Sequence, residues 1–293
     1  MNALELKNIT YTYSKKTPFE KKALDNVTVG FEEGRINGLI GHTGSGKSTL
    51  VQMMNGLLRP DEGEVLLQGK NIWEKPKKIK DVRFRVGLVF QYPEYQLFEE
   101  TARKDIEFGP RNMGLSEQEI KERVERAAEF VGLPEELLER SPFDLSGGQK
   151  RRIALAGVLA MEPEVLVLDE PAAGLDPMGR EEILGGLRSY QRQKKNTMVI
   201  VSHSMEDVAV YCDRLTVLAG GKVFAEGSCA EVFRRERELT EIGLGVPQIT
   251  RFIHLLREKG IDIRDDLYTV SDVKRELARL LPKKVASEGK EES

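Results

Sequence analysis

Apolar and polar positions along this chain fall into blocks of different period, and the period names the element. Leu4-Glu5-Leu6, Ile9-Thr10-Tyr11-Thr12-Tyr13 and Leu24-Asp25-Asn26-Val27-Thr28-Val29 alternate or are β-branched, which predicts strands of an antiparallel layer. The turn Glu33-Gly34 feeds Ile36-Asn37-Gly38-Leu39-Ile40, a short buried strand, and a helix begins around Thr49-Leu50-Val51-Gln52-Met53-Met54. Pro60-Asp61-Glu62-Gly63 is a turn, after which Glu64 to Lys70 returns as a strand. Continuous apolar runs then replace alternation at Arg85 to Phe90, Val165 to Leu168 and Thr197 to Ser202. Runs of that kind belong to a parallel sheet covered on both faces. Arg214 to Gly227 reads as a hairpin turning at Gly220-Gly221.

Helical spacing takes over between residues 112 and 145. Ser116-Glu117-Gln118-Glu119 is a capping box, and Ile120, Val124, Ala127, Ala128 and Val131 share one face until Gly132 stops the helix. Pro134 starts a second short helix, so an all-helical insertion separates two pieces of α/β core. Beyond about residue 240, Ile249, Phe252, Ile253 and Leu256 repeat at helical spacing. Ser271 is the expected cap of a last helix carrying Val273, Leu277, Leu280 and Leu281. These amphipathic pieces are expected to pack on the core or on a second copy of the domain. Val285 to Ser293 is polar and expected to be disordered.

Composition narrows the classes. The 293 residues include 45 Lys plus Arg against 48 Asp plus Glu, a net charge of −3. No basic block stands out, which disfavours a nucleic-acid partner. The two cysteines, Cys212 and Cys229, lack metal-ligand spacing and are expected as buried or incidental thiols of a reducing compartment. No charged-then-apolar leader opens the chain, and no apolar run approaches the roughly 18 residues that span a bilayer. The expectation is a soluble chain whose membrane role, if any, runs through a separate partner.

Chemistry concentrates at the ends of the predicted strands. Gly41-His42-Thr43-Gly44-Ser45-Gly46-Lys47-Ser48-Thr49 fits Gly-x4-Gly-Lys-[Ser/Thr] between a strand and a helix. Glycines let consecutive N–H groups converge on one anion at a positive helix end. Lys47 can meet the β- and γ-phosphates and the Ser48 hydroxyl can ligate Mg²⁺. Gln91 ends a strand, where its carbonyl can reach a metal or a water; most glutamines so placed are simply solvated. Tyr92-Pro93-Glu94-Tyr95-Gln96-Leu97-Phe98 sets aromatics around a proline, either a packed loop or a surface offered to a partner. Leu145-Ser146-Gly147-Gly148-Gln149 contains a capping pair, Ser146 and Gln149. A plain cap would avoid the two glycines, each of which costs ~1 kcal/mol against alanine in a helical turn. Bare N–H groups there suit a phosphate contact.

Asp169-Glu170 closes the strand Val165 to Leu168 at the end where open α/β sheets bind ligands. Strand alternation predicts opposite directions for the two carboxylates, with Asp169 holding Mg²⁺ through water and Glu170 polarising the attacking water. Asp176 heads a helix and could be no more than its cap, Ser204 and Asp207 read as a further capping box, and His203 at the rim can bond a γ-phosphate where Glu170 reaches, though a lone rim histidine is more often structural. Tyr13 is a strand aromatic or a stacking face for adenine.

In this order and spacing the motifs resemble the ATPase subunit of ABC transporters over roughly residues 3 to 235. The resemblance implies a P-loop NTPase core of ABC ATPase type with an antiparallel β layer, a helical subdomain and a helical C-terminal extension. The implied divisions are 1–235 for the ATPase domain (helical subdomain about 92–160), 236–284 for the extension, with a dimer contact, and 285–293 for the tail. It also implies two ATP molecules sandwiched in a dimer. Tyr13 would stack on adenine, Gly41 to Thr49 would cradle phosphate, and Gln91 would link Mg²⁺ to the membrane partner. Ser146, Gly147, Gly148 and Gln149 would grip the nucleotide of the opposite subunit. Glu170 would be the general base, Asp176 the cross-subunit contact and His203 the switch histidine.

Several stretches narrow the resemblance to energy-coupling-factor (cobalt-type) transporters. These are the His42-Thr43 loop, Gln91 to Phe98, Asp105 to Pro110, Ala156 to Met161 and the helical extension. The first of these and Glu170 to Asp176 look like the second of the paired ATPase subunits. In that family two ATPases join a transmembrane coupling protein and a substrate-capturing membrane protein at the cytoplasmic face, and power uptake of a vitamin or transition-metal ion. The loop Tyr92 to Phe98 would then lie against the coupling helices. A nucleic-acid-associated ABC-type ATPase is the alternative, disfavoured because no sustained heptads lie between phosphate loop and signature. A non-hydrolysing regulatory subunit is disfavoured by Glu170 and His203.

Overall fold

Residues 1–280 are described in the computed structural model. The chain opens with two long antiparallel strands, β1 (Asn2–Tyr13) and β2 (Lys21–Glu32). Their sequence reads as broken runs because each strand holds an asparagine in the left-handed region, Asn8 at φ 52° and Asn26 at φ 53°, which asparagine tolerates. The displaced amides stay bonded. Asn8 N–H donates to Thr28 Oγ1 at 2.9 Å and Asn26 N–H to Thr10 Oγ1 at 3.2 Å.

Next come β3 (Ile36–Gly41), α1 (Lys47–Met54), β4 (Glu62–Leu67), β5 (Lys70–Asn71), α2 (Ile79–Arg85) and β6 (Val86–Val89). A helical stretch follows: α3 (Ala102–Asn112), α4 (Glu117–Phe130), α5 (Glu135–Leu138) and α6 (Gly147–Leu159). The α/β core resumes with β7 (Val165–Asp169), α7 (Pro177–Lys194), β8 (Thr197–Val201), α8 (Met205–Tyr211), β9 (Arg214–Ala219) and β10 (Lys222–Gly227). The last described elements are α9 (Cys229–Phe233), α10 (Glu236–Glu241), α11 (Gln248–Glu258) and α12 (Val270–Leu280).

Strands β2-β1-β4-β5 form an antiparallel sheet, and β10-β9-β3-β8-β7-β6 form a second sheet that is parallel except for the β9–β10 hairpin. Alternation along the parallel strands builds a core on each face. Val165, Val167, Val199 and Val201 join β1, β2 and the α1 residues Leu50, Met53 and Met54 in one cluster. Leu166, Leu168, Met198 and Ile200 join α3, α4, α6 and α7 in the other. In the middle strand, Asn37 is 3% exposed and fully used: its amide nitrogen donates to the Glu32 and Met198 carbonyls while its oxygen accepts from Glu32 N–H.

The structure corrects several expectations. The helical layer begins at Ala102, ahead of the 112–145 block read from spacing and inside the 92–160 subdomain that the resemblance implies, with Gly109 and Pro110 in the last turn of α3. There a Cβ on Gly109 would come within 2.7 Å of Met161 Cγ. Ser204 caps α8 by accepting from Asp207 N–H, yet the capping box is not reciprocal, and the Asp207 carboxylate faces Arg180 at 3.7 Å. The last helix is capped by Thr269, whose hydroxyl accepts from Asp272 N–H at 3.1 Å, and not by Ser271. Past residue 235, Leu239, Leu244 and Val246 belong to the main core. A separate small cluster of Ile253, Ile263, Leu267 and Val273 holds α11 and α12 together. Leu281 and the 285–293 tail lie outside the described residues.

Candidate functional site

The parallel sheet orders its strands β3-β8-β7-β6, with Leu39 opposite Val201, Val201 opposite Asp169, and Leu168 opposite Val89. Parallel pairing aligns their C-terminal ends, so the segment after each strand emerges on one edge. That edge carries the phosphate loop after β3, His203 after β8, Asp169 and Glu170 at the end of β7, and Gln91 just past β6.

Gly41 ends β3 in a place where a Cβ would come within 2.4 Å of the Leu218 carbonyl and 2.5 Å of Ser45 Oγ. Gly44 and Gly46 hold φ of 81° and 106°, which only glycine adopts without strain. Gly46 is the N-cap of α1 and supplies no capping side chain, so the first-turn amides are free for an anion. Lys47 arches back over the loop, its Nζ donating to the Gly41 carbonyl at 2.6 Å and the His42 carbonyl at 3.1 Å. Burial lowers its pKa, against the raising effect of Glu170 and Asp169. His42 Nδ1 pairs with the Thr43 carbonyl at 2.8 Å, and Ser45 Oγ is buried without a partner. Ser48 is exposed in the first turn of α1. Tyr13 OH lies 3.2 Å from Thr49 Oγ1, with its ring 38% exposed and edge-on to Tyr11. The strand aromatic therefore stands at the phosphate-loop helix.

Strand alternation does not govern Glu170. Glu170 is one residue beyond β7 with φ 54°, its N–H donating to the Val201 carbonyl at 3.0 Å. The period of 2 ends with the strand, and both carboxylates share the field of Lys47. Burial raises the Asp169 pKa, opposed by Lys47. Glu170 is pushed up to about 7, by burial first and then by the Asp169 charge, and its Oε1 is buried without a hydrogen-bond partner. His203 Nε2 lies 3.5 Å from that oxygen, and burial and Lys47 hold its pKa below the usual histidine value. Gln91 is exposed at the same edge.

Ser146, Gly147, Gly148 and Gln149 lie elsewhere, at the start of α6. Ser146 and Gln149 form a reciprocal capping box. A Cβ on Gly147 or Gly148 would meet nothing within 4 Å, so neither glycine is explained by packing within the chain. A cleft of about 490 Å³ beside them is lined by Gly148, Gly174 and Asp176. Asp176 caps α7 by accepting from Gly179 N–H at 2.7 Å. Thus one edge gathers a glycine loop, a buried lysine and a paired acid and histidine, an arrangement able to take an anion, and a second surface presents bare helix-end amides outward.

Sequence reasoning passed over other features. Arg151 is buried against Glu94, an ion pair with no motif to announce it. The run Lys75 to Arg85 is basic on inspection, and Lys80 and Arg83 border an apolar groove of about 460 Å³ with Phe98, Phe108 and Met161. Tyr95 and Phe98 are 85% and 58% exposed, so the aromatic segment offers surface rather than packing inward.

The sequence model of the ABC transporter family matches residues 24–173. The ATP-binding protein EcfA2 of the energy-coupling factor transporter of Clostridium acetobutylicum is 53% identical over 95% of this chain and 98% of its own length. The chain belongs to the energy-coupling-factor family of ABC transporter ATP-binding subunits. The corresponding protein of Clostridium tetani is 49% identical over 97% of this chain and 99% of that one. Among solved structures, cbiO1 of Clostridium perfringens, described as part of the ABC transporter complex cbiONQ, superposes with a TM-score of 0.73 at 39% identity. The match covers 87% of this chain and 99% of that one. The ATP-binding cassette MJ0796, solved as a dimer bound to ADP and Pi, gives 0.70 at 29% identity over 77% and 98%. The chain is accordingly an ABC-type ATPase, and its ligand is ATP. Among the described residues no helix is long and apolar enough to cross a membrane.

Proposed function

We propose that this chain pairs with a second copy or a sibling ATPase so that two ATP molecules lie between the phosphate loop of one subunit and Ser146 to Gln149 of the other. The observation that carries this reading is the outward placement of Gly147 and Gly148, where side chains would meet nothing. Glycine amides at a capped helix start have no use within the chain and suit a phosphate delivered from outside. Asp176 lines the same cleft and would meet the opposite subunit there.

Tyr13 stacks on adenine, and the amides of Gly41 to Thr49 with Lys47 hold the phosphates. Mg²⁺ fits the donors present: Ser48, Asp169 and Gln91 offer hard oxygens, and the burial that raises the Asp169 pKa is what a nearby cation would relieve. Among the described residues no group of three or more His, Cys, Asp or Glu could hold a metal. The ion would neutralise charge developing on the γ-phosphate. Glu170 orients and polarises the water that attacks in line, forming one P–O bond as the β–γ bridge breaks, and His203 steadies the γ-phosphate from beside Glu170.

The work is coupled to uptake of a vitamin or transition-metal ion through a transmembrane coupling protein and a substrate-capture protein, with this chain peripheral at the cytoplasmic face and no nucleic-acid partner. The groove lined by Phe98, Phe108 and Met161 supports docking of a coupling helix. Co-expression with the neighbouring membrane protein, affinity capture on that protein and ATPase assay of the complex test the reading. A membrane protein that neither retains this chain nor alters its ATPase would overturn it.

A further inference from the structure

Arg151, in the second turn of α6, is 5% exposed and its guanidinium reaches into two other segments. Nε donates to Glu94 Oε2 at 3.1 Å and Nη2 to Oε1 at 3.0 Å, a bidentate fork. Nη1 donates to the Ala173 carbonyl. The group also lies 5.9 Å from the centroid of the Tyr92 ring. Glu94 sits in the short helical turn Pro93–Gln96 of the exposed aromatic segment. Ala173 sits in the turn after β7, where its own N–H donates to the Glu170 carbonyl at 3.1 Å. Asp176 lies just beyond in the chain. One side chain therefore joins the helix that begins at Ser146, the segment Tyr92 to Phe98, and the turn that leads from Glu170 to Asp176.

Stability alone does not call for this arrangement. A buried ion pair recovers little beyond its desolvation cost, and an apolar pair of similar volume would hold the same elements together. What the guanidinium adds is geometry: a planar fork fixes carboxylate and carbonyl in one orientation, which a lysine ammonium cannot do. Glu94 and the Ala173 peptide thereby share one rigid partner.

We propose that Arg151 is a positioning residue for ATP hydrolysis, holding the turn Ala173 to Asp176, and with it Glu170, in register with the segment Tyr92 to Phe98. Only the identity of a protein that would push on that segment rests on the proposed function; the link itself lies within the chain.

The test compares the full-length wild type with Arg151→Lys and with the double variant Glu94→Gln/Arg151→Met, which removes both charges together. Three readouts are taken: kcat and KM for ATP, the melting temperature, and hydrogen exchange of the amides in 171–176. Arg151→Lys is expected to lower kcat about tenfold, as a small misplacement of reacting groups does, with KM within about twofold, and to speed exchange in 171–176. The neutral pair is expected to melt within about 2 °C of wild type and yet keep the low kcat and fast exchange. A neutral pair that restores native kcat and exchange along with stability would reduce Arg151 to a structural role. Native exchange in Arg151→Lys, or a raised KM at native kcat, would equally overturn the proposal. Should the wild type itself fail to hydrolyse ATP, the ATPase assignment falls and the exchange readout alone decides the link.

Discussion

At the scale of single residues, Glu170 shows how burial shapes chemistry. With a pKa pushed from 4.5 to about 7, the folded protein binds a proton there that the unfolded chain releases. Stability from this group is therefore greatest below about pH 4.5 and is lost as pH rises through about 7. The upper bound on that loss is roughly 3 kcal/mol. Glu170→Gln removes the ionisation. Without nucleotide and with chelator present, its melting temperature should exceed wild type by more at pH 8 than at pH 5. An equal difference at both would show that the carboxylate is not held against its charge. The same variant should bind ATP while turnover drops about 100-fold or more, read by filter binding and phosphate release. Lys47→Ala removes charge-assisted bonds worth about 1.5–3 kcal/mol. ATP affinity should weaken at least about tenfold in a titration with a fluorescent analogue, and unchanged affinity would count against the cradle.

At the scale of elements, α6 separates the needs of folding from those of function. Its start is capped by Ser146 and Gln149 without help from the glycines, and a methyl group at Gly148 would touch nothing in the chain. Gly148→Ala should leave the melting temperature equal or slightly higher, since alanine is the better helix former by up to ~1 kcal/mol. It should also abolish ATP-dependent dimerisation of the Glu170→Gln background in size-exclusion chromatography. Dimers of normal strength would mean that the signature does not face a second subunit's nucleotide. The helices α2 and α3 were not legible in advance for a related reason. α2 spans Ile79–Arg85 without a side-chain cap, and α3 carries two poor helix formers, Gly109 and Pro110, in its last turn, where Gly109 closely approaches Met161. Capping boxes at Ser116 and Ser146 were legible because their chemistry is local.

For the whole molecule, the boundary of the C-terminal extension follows the core. Leu239 is fully buried and joins Leu244 and Val246 in the main cluster, whereas α11 and α12 share a small cluster of their own. Chains ending at residue 246 should unfold cooperatively near the wild-type temperature. Chains ending at 235 should lose several kcal/mol, at about 2–5 kcal/mol for each large apolar side chain withdrawn. Phe252 and Leu255 on α11 are 43% and 52% exposed, so the shorter deletion should also weaken self-association in sedimentation. Thermal melts of the two truncations that coincide would refute the placement of the boundary.

Local chemistry was enough to determine the phosphate loop, the paired caps, the β9–β10 hairpin and the apolar strands, because each depends on residues adjacent in the chain. Strand order was not local: β3, β8, β7 and β6 come together across long separations, and only that order sets Gln91, Glu170 and His203 on one edge with Lys47. The direction of Glu170 likewise needed the fold, since a left-handed residue past a strand end escapes alternation. Arg151 needed it most. An ion pair between residues 57 positions apart has no signature in sequence, and its meaning comes from the three segments that packing brings to one guanidinium.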